Sequence, residues 1–110
     1  MKNNLQISQN QLEKNIQKCK KLSLSVSLAF ERVGLEPKRV EEISKDIVYK
    51  FNNVEEKHII QAIKNGALGD YGRTFRMSTQ EVSIWIKQYI IDNPEAEPME
   101  DRIKRLNKGI

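Results

Sequence analysis

Leu22, Leu24, Val26, Leu28 and Phe30 alternate with Ser23, Ser25, Ser27 and Ala29, the one stretch with the period of two that a half-buried strand requires. No second good strand candidate exists to pair with it. A lone strand leaves its backbone donors and acceptors without partners, so the stretch is assigned to helix and the chain to the all-α class. The surrounding residues agree: Leu12, Ile16, Cys19, Val26, Phe30 and Val33 recur at spacings near three and four. One or two helices are expected here, broken near Ser23 to Ser25.

Further helices are marked by their stripes and stops. Gly34 ends the first region, and Pro37 suits the first turn of the next helix, where its missing N–H has no intrahelical partner. Val40, Ile43, Ile47, Val48 and Phe51 form one face of that helix, opposite Lys38, Glu41, Glu42, Lys45 and Asp46. Asn53 with Glu56 approximates a capping box for a third helix, whose buried face is Ile59, Ile60, Ala62 and Ile63 and whose left-handed stop is Asn65 and Gly66. Ser78 with Glu81 is a second box, and Val82, Trp85, Ile86, Tyr89 and Ile90 follow at helical spacing until Asp92, Asn93 and Pro94. Met99, Ile103 and Leu106 lie on one face of a short terminal helix. The expected fold is a compact bundle of about four to five short helices. Residues 1–21 form a basic helical arm, residues 22–91 the helical domain, and residues 92–110 a flexible linker and terminal helix.

A length of 110 residues is that of one domain, too short for a large cofactor-enclosing enzyme fold. The net charge of +4 is local: Lys2, Lys14, Lys18, Lys20 and Lys21 oppose only Glu13 within residues 1–23, and the remainder is neutral. Such an arm can contact phosphates or serve only as a solubilising terminus. No run of apolar residues is long enough to span a bilayer, the N-terminus lacks the apolar core of a signal peptide, and Cys19 is the only cysteine. A cytoplasmic protein with no membrane partner is expected.

Chemistry can be argued for residues 68–86, LGDYGRTFRMSTQEVSIWI. A helix-turn-helix needs a small residue on its first helix, a tight capped turn, and a second helix with apolar residues inward and polar residues outward. Gly72 supplies the small residue, Tyr71 and Phe75 face inward, Met77 fills the turn, Ser78 caps, and Val82 with Trp85 anchor the second helix. Arg73, Arg76, Thr79, Gln80, Ser83 and Lys87 are then the residues expected to contact double-stranded DNA, through base edges or phosphates. The segment resembles the helix-turn-helix of small bacterial DNA-binding proteins over about twenty residues. It departs from that pattern at the turn, where Arg76 replaces the usual glycine and a left-handed backbone would cost about 1 kcal/mol. The longer run AIKNGALGDYGRTFRMSTQEVSIWIKQY, with glycines every third residue before a W-I-x-x-Y helix, is similar to a set of short uncharacterised proteins of bacterial phages and mobile elements. That resemblance implies a replication or mobile-element setting.

Other chemistry finds little support. Gly66, Gly69 and Gly72 lack both the following Gly-Lys-Ser/Thr and the preceding strand of a phosphate loop. His58 has no neighbouring ligand and defines no metal site. The adjacent pairs Glu41–Glu42 and Glu55–Glu56 splay about 100° apart on a helix. No catalytic residue, cofactor or metal is therefore expected, and the chain is read as a non-enzyme. An accessory DNA-binding protein is the leading reading. Its rival is a protein–protein adaptor docking through Leu12, Ile16 and Cys19 or through Met99, Ile103 and Leu106. A structural subunit that forms a homodimer through its N-terminal arms is the third.

Overall fold

The computed structural model describes residues 2–108, with side chains from 10 to 107. Met1 and residues 109–110, the outer ends of the expected arm and tail, lie outside the described residues. Among the described residues there are five α-helices and no strand: α1 (Lys2–Val33), α2 (Val40–Lys50), α3 (Glu56–Ala67), α4 (Thr79–Asp92) and α5 (Met99–Lys108), with a 3₁₀ turn at Pro94–Ala96. The all-α expectation holds.

The alternating stretch lies inside α1. Leu22, Val26, Ala29 and Phe30 are buried at positions i, i+4, i+7 and i+8, whereas Leu24, at 66% exposure, and Leu28 point away from the core. The expected break near Ser23 does not occur. Ser23 instead donates to the Cys19 carbonyl at 2.9 Å and lies 3.2 Å from Ser44 Oγ of α2, whose own proton goes to the Val40 carbonyl at 2.7 Å. These hydroxyls satisfy themselves on backbone one turn earlier, so serine is tolerated where two helices meet. The arm and the domain share this one helix. At 32 residues and about 1.5 Å per residue it is roughly 48 Å long, matching the longest dimension of the molecule, 48 Å. Just before Leu22, Lys18 donates to the Val54 carbonyl at 3.1 Å. Burial lowers the pKa of its ammonium, and the nearby Glu56 opposes that shift.

Two helix ends share one device. Gly34 (φ 79°) donates to Glu31 and Leu35 to Phe30 after α1; Gly69 (φ 91°) donates to Gly66 and Asp70 to Asn65 after α3. Both are Schellman closures, in which a glycine in the left-handed region lets the chain turn back on the last carbonyls. The stop after α3 is thus Gly69, not Asn65 and Gly66. Helix starts depart from expectation at two places. Pro37 precedes α2, which is entered through Arg39 in a left-handed conformation (φ 52°), and α3 is entered through Glu55 with no side-chain cap, so the Asn53 box is not formed. Burial explains the second: Val54 is drawn into the core and fixes the chain direction before Asn53 can cap.

One core joins α1 to α2 and α3, and α3 to α4. Trp85, Ile86, Val82 and Tyr89 of α4 enter it as their spacing predicts. Gly66 on α3 lies directly beneath the indole of Trp85, where any side chain would collide with the ring. The third helix therefore carries its glycine for close approach and not for a turn.

Candidate nucleic-acid interface

Residues 68–78 contain no helix. The expected first helix of a helix-turn-helix is replaced by a loop, because Gly69 and Gly72 both adopt positive φ, at 91° and 110°, and break any helical path. Gly72 donates to the Gly69 carbonyl at 3.1 Å, tightening the turn. Arg76 does not adopt the left-handed conformation that the turn position would have demanded. The loop is pinned at its ends. Tyr71 is half-buried and accepts from Asn65 Nδ2 at 3.3 Å, and burial pushes its hydroxyl above the ordinary tyrosine range. Met77 packs against the core, and Ser78 accepts from the Glu81 N–H at 3.2 Å, capping α4 as expected.

Between those anchors Phe75 is 77% exposed and does not face inward. The guanidinium of Arg73 lies 5.2 Å from its ring centroid. Phe75, Arg76 and Met77 line a surface depression together with Phe30, Leu35, Glu36 and Lys38 from the end of α1 and the loop after it. An adjoining cleft is lined by Lys38, Arg39, Glu42 and Asp46 on one side and Met77, Ser78 and Thr79 on the other. Arg39 pairs with Glu42 at 3.8 Å. Among the described residues, Lys38, Arg73 and Arg76 form no ion pair. Two loops far apart in sequence thus place cations around one exposed ring.

The six expected contact residues divide. Arg73 and Arg76 are exposed on the loop, and Gln80 and Lys87 are exposed on α4. Thr79 is half-buried and donates to Asp46 Oδ2 of α2 at 2.9 Å. Ser83 is 3% exposed, inside the core face, and cannot reach a base edge. The outward face of α4 also includes exposed Ile84 and Ile91, so it is not the polar reading surface expected. Lys38 and Arg39 were not among the expected contacts because those were confined to residues 73–87, and Phe75 was not because its aromatic ring was assigned to a core. The pattern Arg73-x-Phe75-Arg76 beside two glycines was the available signal.

Ser83 Oγ has no hydrogen-bond partner among the described residues. Ser83→Ala removes a buried unsatisfied hydroxyl and improves helix propensity. Its urea midpoint should equal or exceed that of the parent; a fall in stability would reveal a bond at this hydroxyl.

A comparison with protein-family models, curated proteins and solved structures finds no match for the chain. Among the described residues no group of three or more His, Cys, Asp or Glu is placed to hold a metal, and no helix is long and apolar enough to cross a membrane. His58 Nδ1 lies 3.2 Å from the Tyr89 hydroxyl, which gives the buried tyrosine a polar partner.

Proposed function

We propose that this is a non-catalytic accessory protein that binds DNA by its phosphates, through the cationic end built from the loops before α2 and before α4. The observation that carries the reading is the convergence of Lys38, Arg73 and Arg76 on the exposed Phe75. Lys38, Arg73 and Arg76 form no ion pair among the described residues, and cations left free in this way gain by releasing the counterions of a phosphate backbone. The resemblance of residues 62–89 to phage and mobile-element proteins supports a role in replication or transcriptional control in that setting.

Binding of labelled mixed-sequence duplex DNA at two salt concentrations tests the reading. Affinity should fall steeply as salt rises, and Arg76→Ala or Lys38→Ala should weaken every sequence alike, since phosphate contacts carry no base information. Gln80→Ala should reduce discrimination between sites only if α4 also reads bases. Because the arm of α1 is basic, the same comparison is made with its Lys14 and Lys20 changed to Gln; binding that vanishes with those two and ignores Arg76 would place the contact on the arm.

A second reading is favoured by α5. Met99, Ile103 and Leu106 are exposed along one face of this helix, while Glu97 holds Arg105 at 3.0 Å and Arg102, flanking that face, donates to the Pro94 carbonyl at 2.8 Å. An amphipathic helix held with its apolar stripe outward suits a protein-binding adaptor. Under that reading, Ile103→Asp abolishes partner capture and leaves DNA affinity untouched.

A further inference from the structure

Phe75 asks for more than phosphate. A phenylalanine exposed at 77% contributes little burial to the core, and it sits on a loop whose glycines and whose anchors Tyr71 and Met77 hold it out. Arg73 lies over its ring, and Arg76 and Lys38 share the depression beside it. In a duplex the bases are stacked on one another and offer only their edges in the grooves. The other strongly exposed aromatic, Tyr49, lies beside a groove lined by Leu12, Ile16 and Val48 together with Lys20, Lys45 and Glu41, and among the described residues no cation is placed over its ring as Arg73 is over Phe75. An unstacked base offers its whole face, and a ring flanked by cations is the arrangement that holds single strands: stacking for the base, guanidinium and ammonium for the phosphates on either side.

We infer that the DNA taken by this end is single-stranded, with one base stacked on Phe75 while the neighbouring phosphates meet Arg76 and Lys38. This rests on the DNA-binding reading and adds the strand state to it. Glu36 lines the same depression. It disfavours a phosphate at that edge and sets the strand toward the Arg76 side.

The test is fluorescence anisotropy of the full chain with labelled oligothymidylate and with a labelled duplex of equal length, for the parent, Phe75→Ala, Phe75→Tyr and Tyr49→Ala. The parent should hold oligothymidylate more tightly than duplex. Phe75→Ala should weaken oligothymidylate about tenfold, the scale of one lost base stack, while Phe75→Tyr restores it and Tyr49→Ala changes nothing. Circular dichroism of each variant confirms that exposed positions leave the helices intact. If Phe75→Ala binds oligothymidylate as the parent does, or weakens duplex equally, the single-strand inference is overturned while salt-sensitive duplex binding keeps the broader reading. If neither probe binds, both fall together.

Discussion

Trp85→Ala should lower the unfolding free energy by roughly 3 to 5 kcal/mol, the range for buried aromatic truncations. Trp85 is 1% exposed and sits where α4 meets α3, so the cavity would open at the junction of two helices and not at an edge. Domains of this size have only about 5 to 15 kcal/mol to lose. The variant is expected to be partly unfolded at mild urea concentrations. Trp85 is the only tryptophan, so the measurement must follow helix signal by circular dichroism and not tryptophan emission. A variant with the parent's midpoint would mean that the α3–α4 contact does not hold the core together.

Gly66→Ala should be nearly as damaging for the opposite reason. The added methyl would collide with the indole ring atoms of Trp85, and rigid ring atoms cannot move aside as the end of a flexible chain would. Overpacking of this kind costs about 1 to 3 kcal/mol and sometimes more. Gly66 needs no left-handed conformation, since the positive-φ glycines are Gly34, Gly69 and Gly72, so backbone strain contributes nothing. The two sites should therefore couple with a change of sign. In a Trp85→Ala background the obstacle is gone, and Gly66→Ala should stabilise by about 1 kcal/mol through helix propensity alone. Urea midpoints of the four proteins read this cycle. A Gly66→Ala penalty that persists without the indole would show that something other than Trp85 confines the site.

These two residues also mark where sequence reasoning succeeded and where it stopped. Trp85 was legible because Val82, Ile86 and Tyr89 share its face, and a stripe of apolar side chains on a capped helix has one physical destination. Gly66 was misread as a stop because both a terminus and a close packing contact select glycine, and only the neighbour distinguishes them. Ser83 failed similarly. Its polar side chain suggested an outward position, yet it lies beside Val82 on α4, and the packing of that helix decides that both are buried. The serines of α1 were compatible with strand or helix until tertiary partners were known; Ser23 beside Ser44 shows why small hydroxyls suit a helix crossing.

For the candidate site, the chain itself carried Arg73, Arg76, Gln80 and Lys87 as exposed polar groups, and the cap at Ser78. It did not carry their grouping. Lys38 and Arg76 are far apart in sequence, and no local charge count can join them. Helical class, the apolar stripes and the Ser78 cap depend on neighbours within a turn or two, so sequence alone determined them. The course of residues 68–78, the burial of Ser83, the outward Phe75 and the cationic end depend on which helices cross and where. Those contacts are nonlocal, and burial is a property of the packed molecule and not of the residue, so only the tertiary structure decided them.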